Sequence, residues 1–200
     1  MATALKPTTL LIDGDMLAVV CAFAAEERFE FEPELWTWWA DENAARNYAI
    51  DTAQRLMEHL DATDFEVALT DKREANWRKA LWPAYKEQRT VMGVRPPLVL
   101  PRLREWMADE MAAHVWPGLE ADDILGILAT RKGAPKRIIC SQDKDFRSVP
   151  GWFYPDVRPQ DTPKATRKAV ERITKAQADR WHMYQTLVGD TADNYPGCPG

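Results

Sequence analysis

The feature that most constrains this chain is a recurring junction, a short apolar run that ends beside an acid. It appears as TTLLID at 8–13, as FEVALTD at 65–71 and as RIICSQDKD at 137–145. Such runs fit strands buried on both faces, as in a parallel sheet. Between and after them lie stretches with helical character, at about 15–25, 41–60, 96–107, 120–131 and 174–188. Within 41–60, Ala44, Ala45, Tyr48, Ala49, Thr52, Leu56 and Leu60 fall on or near one face. The last helix opens on a T-x-x-Q capping box, Thr174 to Gln177, and its Trp181, Tyr184 and Val188 share a face. Further strands are expected at 113–116 and 152–154. Strands alternating with helices predict an α/β fold with a central, mainly parallel sheet flanked by helices. In such sheets ligands bind beyond the C-terminal strand ends. Asp13, Asp71, Asp143 and Asp145 are therefore expected to converge on one crevice.

More acids gather in tight groups. Glu120, Asp122 and Asp123 stand at the start of a helix that continues ILGILA. One acid there is explained by the helix dipole, which favours it by ~0.3–1 kcal/mol. Three within four residues crowd like charges, which raises carboxylate pKa values or destabilises the fold unless a counter-ion is present. The same holds for Asp143 with Asp145 and for Asp190 with Asp193. Bound cations explain the pattern, and oxygen-only ligands select a hard ion such as Mg²⁺ or Mn²⁺ over zinc. Two such ions, ~3.5–4 Å apart, suit in-line displacement at phosphorus. The three histidines, His59, His114 and His182, read as structural. Cys21, Cys140 and Cys198 lack metal-ligand spacing and are expected as small buried hydrophobes in a reducing cytosol. No G-x-S-x-G, Walker A or G-x-G-x-x-G pattern occurs, so serine hydrolase, NTPase and dinucleotide readings lack support.

The net charge of −5 argues at first against a nucleic-acid partner. Its distribution says otherwise. From Lys72 to Arg104 there are nine basic residues (Lys72, Arg73, Arg78, Lys79, Lys86, Arg89, Arg95, Arg102, Arg104) against Glu74 and Glu87. Charge alone leaves two readings open, a phosphate-binding stripe beside an acidic pocket and a solvated helix face. No apolar run approaches the ~18 residues of a membrane span, and the N-terminus lacks a signal peptide's layout.

Six segments then carry a family likeness in order: LLIDGD (10–15), ALTD (68–71), WRKALWPAYKEQR (77–89), GLEADD (118–123), SQDKDF (141–146) and GDTADNYPGCPG (189–200). Together they resemble the bacteriophage and bacterial 5′→3′ exonucleases and flap endonucleases, a PIN-like 5′-nuclease family, and the phage 5′→3′ exonucleases in particular. The resemblance implies a parallel-sheet nuclease domain at 1–180, with a basic helical arch at about 72–104. Residues 181–200 would begin a helix-hairpin-helix for duplex DNA that is cut short, leaving the Asp190–Asp193 segment less supported. By the same resemblance, Asp13, Asp71, Glu120 and Asp122 surround a first metal. Asp143, Asp145 and Asp193 hold a second, with Asp123 and Asp190 acting nearby through water. The expected cofactors are two Mg²⁺ (or Mn²⁺).

Asp15 lies outside that pattern and reads as the start of its helix in preference to a supporting acid. Arg78, Lys86 and Arg89 match the basic residues at the base of the arch. On a helix, Lys86 and Arg89 would share a face and hold the scissile phosphate. Tyr85 would stack on a terminal base, and Lys72, Arg73 and Lys79 would hold DNA. Trp77, Leu81 and Trp82 read as the arch's packing face. The activity implied is metal-dependent 5′→3′ exonuclease or flap cleavage of DNA, and of RNA in hybrids, by a monomer in the cytoplasm. The chief alternative is a non-catalytic or weakly active nucleic-acid-binding module. A toxin-like ribonuclease lacks a basic insertion at 78–89, and a phosphoacceptor domain needs fewer acids.

Overall fold

A computed structural model describes residues 7–72, 75–87, 95–159 and 168–199. In chain order the elements are β1 (Thr8–Asp13), α1 (Gly14–Ala24), β2 (Glu26–Glu32), β3 (Leu35–Ala40), α2 (Glu42–His59), β4 (Asp64–Ala68) and α3 (Trp77–Leu81). There follow α4 (Leu100–Asp109), α5 (Ala121–Thr130), β5 (Lys136–Cys140), β6 (Gly151–Tyr154), β7 (Glu171–Ile173) and α6 (Lys175–Val188). Two 3₁₀ turns, Lys144–Ser148 and Thr191–Asp193, carry acids.

The main sheet has the order β4-β1-β5-β6-β7. β1 runs parallel to β4 and β5, β5 runs parallel to β6, and only β7 is antiparallel. All six residues of β1 are buried, because each face of the central strand meets its own core. Leu10 and Ile12 pack in one core with residues of α1, α2 and α4, including Leu17, Leu56 and Leu103. Leu11 points into the other with Ile124, Leu125 and Leu128 of α5. Burial on both sides is why these runs are continuously apolar. At the end of β1 the chain turns at once into α1. A Cβ on Gly14 would stand 2.5 Å from the Ala68 carbonyl oxygen and 2.7 Å from Val67 Cγ1, so only glycine lets α1 start against β4.

Several expectations need correction. Residues 113–116 form a single parallel bridge, His114 to Ala68, rather than a strand. The helix expected from 96 begins at Leu100 with Pro101 in its first turn, where its missing N–H has no partner to lose. α2 buries Ala45, Ala49, Ala53 and Leu56, while Tyr48 is exposed. On α6, Tyr184 and Val188 are more than half exposed. That helix runs unbroken across residue 180, so the boundary expected there falls inside an element. Cys21 and Cys140 are buried, whereas Cys198 is exposed. The β2–β3 hairpin and β7 were not anticipated. Histidine fares as expected at two positions: His114 Nε2 sits 2.8 Å from Glu66 Oε2, and His59 Nε2 3.3 Å from the Tyr154 hydroxyl. Among the described residues no helix is long and apolar enough to cross a membrane.

Candidate active site

The C-terminal ends of β1, β4 and β5 open onto a cleft of about 940 Å³. Asp13, Asp15, Asp71, Glu120, Asp122 and Asp143 line it, together with Lys72, Lys79 and Lys86. Sequence positions more than a hundred residues apart therefore meet, because three parallel strands deliver their last residues to one edge. Asp123, Asp145, Asp190, Asp193 and Arg78 stand around the rim through their contacts. Arg73 and Arg89 lie outside the described residues.

Asp13 is the innermost acid. Its Oδ1 caps α1 by accepting from the Met16 amide at 3.0 Å, and its Oδ2 accepts from the Ser141 hydroxyl at 2.7 Å. Burial, and then the charge of Asp15, push it up to about 6. Ser141 also accepts the Asp143 amide at 3.0 Å, which ties the β5 end to the β1 end. Asp15 does more than begin a helix: it accepts from the Thr70 hydroxyl and amide and pairs with Arg104. Arg104 in turn donates to the Thr70 carbonyl at 2.7 Å. Asp15 is thus a positioning acid that fixes the β4 exit. The sequence placed Ser141 in the SQDKDF segment and Arg104 in the basic stretch, but gave neither of them this role. Asp71 accepts the Gly118 amide at 2.9 Å, and that bond first, with the Lys72 amide next, holds its carboxyl below the usual range.

At the start of α5 the acids form a dense group. Glu120 accepts from the Tyr85 hydroxyl at 2.6 Å and from Lys86 Nζ at 2.7 Å, and Arg78 Nη1 lies 3.0 Å away. Arg78 also forks onto Asp123 at 2.7 and 2.8 Å, and Trp77 Nε1 reaches the same carboxylate at 3.2 Å. Burial works against the Asp123 charge, but the Arg78 hydrogen bonds, the Glu120 amide, the Arg78 charge and the Trp77 indole together outweigh it and hold the carboxyl low. Asp122 has no such hydrogen-bonded cation among the described residues: burial, and then Glu120, push it up to about 7. The 143–145 group is held differently. Asp143 caps its 3₁₀ turn through the Asp145 amide at 2.8 Å, and Gln185 of α6 donates to Asp145 at 2.5 Å. Burial, and then Asp143, push Asp145 up to about 6. Asp190 pairs with Lys144 at 3.3 Å.

The segment carrying Asp190 and Asp193 is stitched in place. Lys86 donates its backbone amide to the Asp193 carbonyl at 3.3 Å, and Asn194 donates to the Ala84 carbonyl at 3.0 Å. Below it, Gly189 and Gly197 cross, both with left-handed backbone; a Cβ on Gly189 would lie 2.5 Å from Gly197 N. No other residue fits there without moving the backbone.

Three expectations for the basic segment change. α3 ends at Leu81, because Pro83 forces Trp82 out of helical geometry (φ −137°, ψ 89°). Lys86 consequently sits in a turn with φ +54°, not on a helix face shared with position 89. Tyr85 is 8% exposed with its hydroxyl committed to Glu120, so it offers no open face to a terminal base. Trp77, Leu81 and Trp82 are exposed, Leu81 by 74%, and so are not a packing face.

All the donors at this site are oxygens of the kind that hold hard divalent cations. Burial first, and then a neighbouring carboxylate, raise the carboxyls of Asp13, Asp122 and Asp145, and a bound cation favours the charged form of such groups. Among the described residues no three acids gather at ligating distance as they stand. Arg78, Lys86, Gln185 and Ser141 donate to oxygens of Asp123, Glu120, Asp145 and Asp13 respectively. The donor set fits such an ion once those side chains yield.

Comparison with known proteins gives the same direction. The family described as 5′-3′ exonuclease, N-terminal resolvase-like domain, matches residues 8–152. The exodeoxyribonuclease of Enterobacteria phage T3 is 32% identical over 200 residues, covering 96% of this chain and 62% of that protein. The exonuclease of Escherichia phage T7 is 33% identical over 202 residues, covering 96% of this chain and 63% of that protein. The chain thus spans less than two thirds of the curated relatives it matches. Among solved structures, the bacteriophage T5 D15 flap endonuclease, in a pseudo-enzyme-product complex with DNA and metal ions, superposes with a TM-score of 0.59. The identity is 14%, with 97% of this chain and 71% of that one covered, a likeness of fold. With its parallel sheet, its convergent acids and a match over most of its length, the chain belongs to the 5′-3′ exonuclease family through the N-terminal resolvase-like domain.

Proposed function

We propose that this chain is a divalent-cation-dependent nuclease that hydrolyses phosphodiester bonds of DNA from a 5′ end or at a flap. The observation that carries it is the cleft itself, where acids from three strand ends and the start of α5 face Lys72, Lys79 and Lys86. The names of the phage relatives and the DNA- and metal-bound T5 neighbour support this reading. Asp13, Asp71, Glu120 and Asp122 would hold one Mg²⁺ or Mn²⁺. Asp143, Asp145 and Asp193 would hold a second, with Asp123 and Asp190 supporting. When bound, such ions lower the pKa of water and neutralise the charge that develops at phosphorus.

The chain's own residues do the rest. Lys86 and Arg78 now neutralise Glu120 and Asp123; as cations displace them, both become available to a phosphate in a site of low dielectric. Lys72 and Lys79 hold flanking phosphates, with Arg73 and Arg89 in the same stretch of chain. Such contacts position the strand without reading bases, which extends the proposal to RNA in hybrids. Tyr85 orients Glu120 rather than touching a base.

One observation favours a second reading, a binding module: Glu120 and Asp123 are already satisfied by protein donors. A single experiment decides between them. A 5′-labelled duplex and a flap substrate are incubated with Mg²⁺, Mn²⁺ or EDTA, beside the Asp143→Ala/Asp145→Ala double variant. Short labelled products that vanish in EDTA, and fall at least about a hundredfold in the variant, are expected. Binding without cleavage under every metal condition would leave only the module.

A further inference from the structure

A second concavity, of about 410 Å³, is walled by the Lys144–Ser148 turn, β7 and α6. Arg147, Arg172 and Arg180 line it with Glu171, Trp181 and Tyr184. Its charge is one-sided. Arg147 and Arg180 face one carboxylate, Glu171, which is already paired with Arg147 at 3.0 Å, while the Arg172 guanidinium lies 4.9 Å over the Trp152 ring. Its aromatic wall is shaped: the Trp181 and Tyr184 rings lie 5.7 Å apart, and the Arg147 guanidinium sits 5.8 Å from the Trp181 ring. Tyr184 is 55% exposed, so one ring is open. The Trp181 indole N–H is buried and finds no acceptor among the described residues, a rare state for a polar group in a folded protein.

This pocket adjoins the acids. Gln185, the residue after Tyr184, donates to Asp145, and Arg147 follows Asp145 by two positions. A strand leaving the cleft past Asp145 therefore reaches the arginines next. Guanidinium groups match phosphate geometry, and open aromatic rings stack on bases whatever their sequence. An acidic peptide would use the arginines but has no flat group for Tyr184.

We propose that this pocket is a second nucleic-acid contact, holding phosphates against Arg147 and Arg180 and a base against Tyr184 and Trp181. The substrate class rests on the nuclease reading above. Fluorescence anisotropy with a labelled single strand and a labelled duplex tests it, in EDTA so that binding is read without cleavage. Arg180→Glu is expected to weaken binding about tenfold and to reduce the salt slope by roughly one phosphate, about 0.7 for the single strand and 0.9 for the duplex. Tyr184→Ala is expected to weaken single-strand binding roughly fivefold or more while leaving the slope unchanged. Circular dichroism confirms that each variant is folded, and both side chains are surface groups.

Unchanged affinity and slope in both variants would overturn the proposal. So would failure of the unsubstituted chain to bind any strand, or binding of an oligoglutamate peptide in place of DNA with the same loss in Arg180→Glu. The two readings fail separately. Binding that weakens in the variants with no cleavage in Mg²⁺ sinks the nuclease alone, and cleavage with unaltered variants sinks the pocket alone.

Discussion

The two acidic groups at the sheet edge carry similar residues and are held in opposite ways. At the start of α5, Glu120 and Asp123 are gripped by Arg78 and Lys86, whose side chains are only 25% and 17% exposed. At the β5 end, Asp145 is met by a neutral amide and Asp190 by Lys144, which is 62% exposed. The first group is an internal ion-pair network in a poorly solvated place, where removing one member strands the others. The second is a set of repelling carboxylates near solvent, where a pair contributes little. The difference assigns the first group to tying the basic segment onto the core. It leaves the second as the part with the most to gain from an added cation.

The largest expected effect of a substitution tests that grip. Glu120→Ala removes the acceptor shared by Tyr85, Lys86 and Arg78, and is expected to destabilise the fold by about 3 kcal/mol in urea titration. A loss near zero would erase the contrast between the groups. Next comes pH. Asp13, Asp122 and Asp145 all have carboxyls raised in the folded state, to about 6, 7 and 6. A raised carboxyl binds its proton more tightly when folded, so its contribution is greatest below the unfolded value near 4 and is lost as pH rises toward 7. In EDTA, thermal unfolding is expected to show stability falling over that window by several kcal/mol. Mg²⁺ is expected to remove most of that fall at its upper end.

Smaller effects separate the groups further. Asp145→Asn removes a repelled charge and is expected to stabilise the metal-free chain by about 1 kcal/mol at pH 7 while weakening its response to Mg²⁺. Destabilisation instead would mean that the Gln185 contact outweighs the repulsion. Smallest is Lys144→Ala, expected to change stability by less than about 0.5 kcal/mol because the side chain is mostly solvated. Lys86→Ala, measured beside it, should exceed that several-fold.

The sheet edge was legible because its signal is local and strong: an apolar run, then an acid, with glycine after Asp13 where α1 must start against β4. The order of β4, β1 and β5 was not read from the sequence, because burial on both faces marks a central strand without saying which neighbours it pairs with. The hairpin was missed for the opposite reason. Its E-R-F-E-F-E alternation is a strand pattern, but neither face meets the core, and Phe31 and Trp39 are more than half exposed. Lys86 was expected on a helix of the basic arch although Pro83 stood in plain view as the end of α3. Which oxygen each cation would choose depends on packing between distant elements. Arg104 reaches Asp15 and Thr70 from α4, and Ser141 reaches Asp13 from the end of β5. No spacing in the sequence records such pairings.

The crossing of Gly189 and Gly197 has a consequence for how this segment tolerates change in length. With the two backbones in contact at its neck, the loop between them is closed like a clasp, and its seven inner residues have fixed ends. An inserted residue cannot be absorbed by spreading the neck, where Asp190 is bridged to Tyr195; it has to bulge at the tip, in the turn that carries Asp193, and so shift it relative to Asp190. The clasp therefore acts as a ruler, setting how far those two carboxylates stand from Lys144 and Lys86 whatever chain follows it.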